Sequence, residues 1–138
     1  MASLNWFNAA KENLVESCNL QSDQFVVALT AAANAPVATN SVLADLTQIS
    51  YTNLSSRNIT TASSSQTTGT YTLVLTDLVL TASGAVATFR YVVIYDDTTS
   101  SPADALICWY DYGGNVTLAD TETFTIDFGA SLFSMTHA

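Results

Sequence analysis

The chain has very few positive charges, because Lys11, Arg57 and Arg90 are its only basic residues apart from one histidine. Twelve aspartates and glutamates oppose them, so the net charge is −9 at pH 7. Three cations cannot neutralise a stretch of phosphate backbone, so we expect no nucleic-acid binding. An anionic membrane surface would repel the chain for the same reason, so we also expect no membrane partner.

Long apolar runs are also missing, since no stretch approaches the roughly 20 residues that span a bilayer as a helix. The N-terminal sequence MASLNWFNAAKENLVES lacks a positively charged start and a continuous apolar segment, so we expect no signal peptide. Residence in a reducing cytoplasm follows as the expectation. Cys18 and Cys108 are then expected to be free, buried thiols, with a disulfide between them left open. Two cysteines and one histidine are too few for a structural zinc site.

Charge of either sign is scarce, because charged residues make up 11% of the chain and hydrophobic residues 49%. That hydrophobic content excludes a disordered tail, and the length is sufficient for one domain with one core, over residues 1–138. Ser and Thr supply the polarity instead, most densely in residues 54–72. An uncharged polar surface loses little hydration energy when another protein covers it, which favours a packed assembly over a free enzyme.

One amphipathic helix is predicted near the N-terminus, at residues 3–17. Phe7, Ala10 and Leu14 recur at the spacing of a single helix face. Ser3 precedes them and can cap the first turn.

Strand patterns follow from about residue 24 to residue 128, with turn sequences between them. The change of apolar parity at Asp77 predicts a bulge or bend between two strand segments. The Ser/Thr-rich stretch 55–69 has no such pattern and predicts a mobile surface loop. Together these patterns predict a mainly β, single-domain antiparallel β-sandwich or barrel with one N-terminal helix. The predicted strands cover residues 24–30, 70–76, 87–95, 105–111 and 122–128.

The segment FRYVVIYDD, residues 89–97, combines a cation, a run of apolar residues and two adjacent carboxylates. Both faces of this strand are apolar, which predicts a central strand that is covered on both sides. Asp96 and Asp97 are predicted to begin a polar loop, where aspartate accepts hydrogen bonds from backbone N–H groups just downstream. A cation site formed by Asp96, Asp97 and Asp104 stays open as an alternative. Catalysis by the adjacent pair is not expected, because neighbouring strand residues point to opposite faces.

Two further expectations concern the packing of this strand. Arg90 is expected to pair with an acid or to stay half exposed. One continuous core is predicted from the alternating apolar residues of two strands: Tyr91, Val93, Phe124, Ile126 and Phe128.

No catalytic, cofactor-binding or metal-binding set is predicted, so we expect no enzymatic activity. A Ser–His–Asp triad would depend on His137, the single histidine, which lies where chain ends fray. Trp109, Tyr110 and Tyr112 form an aromatic group that either stacks on a carbohydrate or packs as core at a sheet end. The core interpretation is favoured, because aromatic rings with polar tips are common at such positions.

Several segments follow one another in a recognisable order: LVESCNLQSDQFVVALT, NAPVATNSVLADLTQI, YTLVLTDLVLTASG, RYVVIYDDT, and WYDYGG followed by VTLADTETFTIDF. In this order they resemble a family of small virion proteins of tailed bacteriophages, over nearly the whole chain. The strand and turn RYVVIYDDT and the ending WYDYGG to TIDF carry the resemblance most specifically. The chain departs from the family in SGAVATFRY, which lacks a glycine pair and a proline, and at Cys108, where a small residue is usual.

The resemblance implies a non-enzymatic structural protein of the virion, encoded among head and tail genes. Within that setting we expect a capsid cement (decoration) protein that stabilises the head by bridging subunits of the major capsid protein. A homotrimer on the outer capsid surface, assembled in the host bacterial cytoplasm, is the expected form. The alternatives are a tail, neck or fibre component of the virion, or a β-domain that binds host glycans through Trp109 and its tyrosine neighbours.

Overall fold

The computed structural model describes residues 2–137, which form antiparallel strands, one α-helix and two short 3₁₀ turns at Ala32–Asn34 and Leu43–Asp45. The helix, α1, spans Ala10–Glu16. The strands are β1 Ser3–Trp6, β2 Phe25–Thr30, β3 Thr61–Thr67, β4 Thr70–Leu75, β5 Leu78–Thr81, β6 Phe89–Ser100, β7 Ala103–Val116, β8 Thr123–Ile126 and β9 Phe133–Met135. The prediction of a mainly β, sandwich-like fold is confirmed.

The strands form two layers. One layer is a four-stranded sheet in the order β1-β7-β6-β2, and the other contains a three-stranded sheet, β3-β4-β9, and a two-stranded sheet, β5-β8. Strand β6 lies between β7 and β2, and its residues 91–96 are all buried. The prediction of a central strand covered on both sides is therefore confirmed.

The larger core cluster fills the space between the two layers. Its side chains come from the four-stranded sheet and from the strands facing it, and each fully buried large side chain contributes roughly 1.5–3 kcal/mol. The fully buried members include Phe25, Val92 and Ile94 on one side and Leu73, Leu80 and Ile126 on the other.

A smaller cluster covers the opposite face of the four-stranded sheet. Val93 and Leu106 project from β6 and β7 into it, where they meet Phe7 and the helix residue Ala10. The prediction of one continuous core is therefore wrong for Val93, which is separated by the sheet from Ile126 and Phe128, and for Tyr91, which belongs to neither cluster. Alternation shows which residues share a face of a strand, but it does not show which layer covers that face.

The predicted helix over residues 3–17 is wrong in its first half. Ser3–Trp6 form β1, which pairs antiparallel with β7, and α1 begins only at Ala10. Ser3 therefore caps no helix, and the residue before α1, Ala9, makes no side-chain capping bond. The edge of β7 offers backbone hydrogen-bond partners along its length, and pairing with it outweighs the weak propensity of four residues for a helix.

The Ser/Thr-rich stretch 55–69 is not a mobile loop. Its second half is β3, which forms a hairpin with β4 through a two-residue turn at Thr68 and Gly69. Both turn residues have positive φ angles, 48° and 86°, as a type I′ turn requires. The first half lies along β2, since the Arg57 carbonyl accepts a hydrogen bond from the Val27 N–H at 2.9 Å. The threonines and serines of β3 are compatible with a strand, because these residues suit the exposed face of a sheet.

Two of the predicted turns lie inside long strands. Asp96 and Asp97 belong to β6, which continues to Ser100, and the sequence YGGN at residues 112–115 belongs to β7. The ladder between β6 and β7 shifts register at both places, so the turn-forming residues produce bulges there instead of chain reversals. The predicted break at Asp77 is confirmed, because β4 ends at Leu75 and β5 begins at Leu78.

We expect Val93→Asp to prevent folding. Val93 is fully buried in the smaller cluster, and an unpaired carboxylate there costs several kcal/mol, comparable to the stability of a whole domain. Val79→Asp is the matched control, since Val79 is half exposed on β5 and should tolerate the charge. Circular dichroism during heating measures both variants. A cooperative melting transition of Val93→Asp near that of the wild type would contradict the assignment of this cluster.

Candidate functional site

Asp96 is the most unusual polar residue of the described chain, because its side chain is completely buried inside β6. Its Oδ1 atom accepts a hydrogen bond from the Thr98 N–H at 2.9 Å, whereas Oδ2 has no hydrogen-bond partner among residues 2–137. The predicted bond from a downstream backbone N–H is confirmed. The predicted exposed loop is wrong, because the residue lies in a strand that packs on both sides.

Two titratable side chains face Asp96 from the segment that follows α1. These are the carboxyl group of Asp23 and the thiol of Cys18. Burial raises the pKa of Asp96 to about 6, and the nearby Asp23 carboxyl adds to this rise because a second negative charge there is unfavourable. The Thr98 N–H acts in the opposite direction because it donates to the carboxylate, and the nearby Cys18 thiol also lowers the pKa of Asp96.

A local network of hydrogen bonds holds this end of β6 in place. The Thr99 hydroxyl donates to the Asp96 carbonyl at 3.1 Å and accepts from the Ala105 N–H at 3.0 Å. The Thr98 hydroxyl accepts from the Gln24 N–H at 2.8 Å, which ties β6 to the start of β2. The register shift between Asp96 and Ser100 is therefore a fixed bulge that keeps the carboxyl group inside the protein.

The chemistry that this cluster supports is proton exchange between Asp96 and its two partly buried neighbours. Burial, followed by the nearby Asp96 charge, raises the pKa of Cys18 to about 12, so the thiol is protonated at neutral pH and is a poor nucleophile. Asp96 has no exposed surface through which a substrate could approach it. The cluster is a buried carboxyl group, Asp96, beside a partly exposed carboxyl group and a partly exposed thiol. Its measurable consequence is the pH dependence of stability.

The other proposed ligands of a cation do not join Asp96. Asp97 is exposed to solvent, as expected because it follows the buried Asp96 on the same strand. Asp104 lies at the start of β7 and has a positive φ angle of 52°. Within residues 2–137 no group of three or more histidine, cysteine, aspartate or glutamate side chains is placed to hold a metal ion. The three aspartates therefore do not form a ligand set.

Arg90 and Asp111 form the ion pair that was expected for Arg90. The guanidinium group donates to both carboxylate oxygens, at 2.9 and 3.1 Å. Asp111 also accepts from the Gly113 N–H at 2.8 Å, and these two donors lower the pKa of the carboxyl group. The pair anchors the bulge of β7 that follows Asp111. It is partly exposed to solvent, so its contribution to stability is small.

The aromatic residues of β7 lie on both faces of the sheet and do not form one platform. Trp109 packs on Phe7 in the smaller cluster, with ring centroids 4.6 Å apart. Tyr110 packs with the larger cluster on the other face, and Tyr112 lies against Phe124 at 5.0 Å. This arrangement agrees with the core interpretation of the three residues. A carbohydrate could not stack on all three rings at once.

The remaining candidates stand apart from one another. Cys18 and Cys108 are both free, as expected, although Cys18 is only partly buried. His137 lines a surface pocket with Tyr71, Met135 and three other residues, none of which is an acid or a cysteine. Sequence reasoning missed the contact of Asp96 with Asp23 and Cys18, because no local pattern connects residues so far apart in the chain.

Comparison with known proteins adds no relative: no family model, no curated protein and no solved structure matches the chain. The described residues define the protein as a mainly β, sandwich-like fold. No helix within residues 2–137 is long and apolar enough to cross a membrane.

We expect the stability of the wild type, relative to Asp96→Asn, to fall as the pH rises from about 4 to about 7. The carboxyl group ionises near pH 4 in the unfolded chain and near pH 6 in the folded protein, so the folded state is favoured at low pH. This advantage is complete below pH 4 and is lost as the pH passes 6. The difference is on the order of a few kcal/mol. Urea unfolding at several pH values measures it.

Asp97→Asn is the control for this experiment, since it removes the exposed neighbour of Asp96 and leaves the buried group unchanged. Its stability relative to the wild type should show no comparable change between pH 4 and 7. If the Asp96→Asn difference is constant over this range, the carboxyl group does not titrate as the buried geometry requires.

Proposed function

We propose that the protein is a non-enzymatic structural component of a tailed-bacteriophage virion, and specifically a capsid cement protein that stabilises the head by bridging capsid subunits. The observation that carries the proposal is the resemblance of the ordered segments between residues 14 and 128 to small phage virion proteins. The strand RYVVIYDDT and the ending WYDYGG to TIDF are its most specific parts.

The surface chemistry supports a role in a packed assembly. Residues 58–76 contain no charged side chain, and most of β3 is exposed through serine, threonine and glutamine. Hydroxyl groups can exchange water for protein partners at a small cost, whereas a buried charge needs a partner charge. A subunit of a particle buries much of its surface against neighbouring subunits, so an uncharged polar surface suits it.

The placement of the reactive groups supports a role without catalysis. Asp96 is buried, Cys18 is held in its protonated form, and His137 shares its pocket with no acid. Catalytic pairs require a nucleophile and a base within hydrogen-bond reach of an accessible site. The candidate residues of this chain do not meet that requirement in the described structure.

A homotrimer on the outer capsid surface is the form that we propose. Capsid subunits meet at local three-fold positions, and a symmetric oligomer repeats the same contact to each equivalent neighbour. Three copies at −9 each carry a charge of −27, which contacts between apolar and hydroxyl surfaces must outweigh. Screening over a Debye length of about 8 Å reduces this repulsion.

We expect virions that lack this protein to lose resistance to heat and to chelators while they keep their tails and adsorb normally. A cement protein strengthens contacts between capsid subunits and takes no part in receptor binding. Infectivity after heating and adsorption to host cells measure the two properties. Particles that keep full stability but fail to adsorb would place the protein in the tail, neck or fibre, or make it a receptor-binding domain.

The copy number per virion provides an independent test by quantitative mass spectrometry. A capsid protein that follows the head symmetry occurs in on the order of hundreds of copies, whereas a tail or neck component occurs in about a dozen or fewer. The smaller number would contradict the cement role and leave the structural role in the virion.

We expect purified protein to show no turnover of peptidoglycan, capsular polysaccharide or ester substrates. The reasons are the burial of Asp96, the protonated state of the Cys18 thiol and the lack of an acid in the pocket that His137 lines. Asp96→Asn and Asp97→Asn serve as matched variants for any activity that is detected. Turnover that either substitution abolishes would overturn the non-enzymatic assignment.

A further inference from the structure

The outer side of β3 is a free strand edge, because β3 is the last strand of its sheet. The two-residue turn makes Thr67 and Thr70 a hydrogen-bonded pair, and bonding to β4 then alternates along the strand. Ser64 and Gln66 therefore direct their backbone N–H and C=O groups away from β4. These groups have no hydrogen-bond partner within the described chain.

Other strand edges are covered by neighbouring segments. The outer side of β2 is bonded by residues 57–59 and by the Tyr51 hydroxyl, which accepts from the Leu29 N–H at 2.9 Å. The outer side of β5 is bonded by Ser55, whose N–H donates to the Thr81 carbonyl at 3.0 Å.

The strands without such cover are short, apart from β3. Strands β1 and β8 have four residues each and β9 has three, whereas β3 has seven. Strand β3 is therefore the longest uncovered edge within residues 2–137.

The usual protection of an exposed edge is missing from β3. Proteins guard such edges with lysines, prolines, bulges or very short strands. Residues 58–76 contain no charged residue and no proline, and the one register shift lies between Thr61 and Ser63. Five consecutive residues, 63–67, keep a regular ladder with β4. Beside them, Ser64, Ser65 and Gln66 line a surface pocket with residues 18–21, so the edge faces an open depression.

We propose that the outer edge of β3 is a self-association site, which hydrogen-bonds to a strand in a second copy of this chain. A second copy is the occupant, because an unprotected strand edge pairs readily with another strand and every copy of the chain carries this same edge. Two copies with a charge of −9 each repel one another, and the uncharged β3–β4 hairpin lets them approach with the least repulsion. The inference rests on the strand edge alone and does not require the protein to belong to a virion.

The geometry of the pairing determines the size of the oligomer. Antiparallel pairing of β3 with β3 of another copy forms a two-fold dimer, whose two three-stranded sheets become one sheet of six strands. Alternatively, β3 of each copy pairs with a different edge strand, such as β9, of the next copy. Three such contacts form a closed ring, which is the trimer proposed above. The same backbone groups of β3 are used in both arrangements.

The test compares Ser64→Pro with Ser64→Ala in the full chain. Proline removes the outward N–H and leaves the bonds between β3 and β4, since proline is tolerated on edge strands. Alanine loses the same hydroxyl contact, 2.7 Å from Oη of Tyr71, but keeps the N–H. We expect the wild type and Ser64→Ala to form the same oligomer, and Ser64→Pro to associate at least tenfold more weakly. Light scattering and sedimentation over a range of concentrations measure the association, and thermal unfolding verifies that each variant is folded.

A second pair of variants keeps the test valid if Ser64→Pro does not fold. Ser63→Lys with Ser65→Lys places two charges on exposed positions of β3, and Val15→Lys with Val37→Lys adds the same charge at exposed positions elsewhere. Dissociation by the β3 lysines alone, although they reduce the net negative charge, supports the proposal for a dimer and for a trimer.

Two results would overturn the proposed site. One is a wild type that is monomeric at every concentration, and the other is an oligomer that only the lysines at positions 15 and 37 dissociate. Neither result bears on the virion assignment, which the copy number per particle tests separately.

Discussion

The antiparallel pairing of β6 with β7 is the interaction on which the rest of the structure depends. These strands have twelve and fourteen residues, and they occupy the two interior positions of the four-stranded sheet. Their two faces supply side chains to both core clusters, so the second layer of strands packs on one side and α1 on the other. The bulges in this ladder also set the positions of Asp96 and of the Asp111 ion pair.

The buried carboxyl group of Asp96 shows what this arrangement costs. Ionised Asp96 lies inside the protein with one unpaired oxygen, close to a second carboxyl group and a thiol. The packing of β6 offsets this cost. The bulge is held by the hydrogen bonds of the Thr99 hydroxyl with the Asp96 carbonyl and the Ala105 N–H, and it keeps the Asp96 side chain inside the protein. Asp96 thus lies between the segment after α1 and the end of the central strand, and its protonation is coupled to folding.

The surface of the molecule is polar mainly through hydroxyl groups, whereas the surfaces of most proteins are polar mainly through charged side chains. Such a surface keeps the chain hydrated and can still be covered by another protein at a low desolvation cost. The free edge of β3 and the uncharged hairpin around it belong to this surface. Both features support the proposals that the protein acts in a packed assembly and that it associates with copies of itself.

The sequence by itself determined the β-rich fold, the central position of residues 91–95, the break at Asp77 and the pairing of Arg90, because periodicity and the scarcity of cations are local or compositional signals. Only the tertiary structure decided that Ser3–Trp6 form a strand, since the edge of β7 completes their hydrogen bonds. The same holds for β3, whose serines and threonines acquire strand structure from pairing with β4. The burial of Asp96 against residues more than seventy positions away also required the folded chain, because contacts over such separations leave no periodic trace in the sequence.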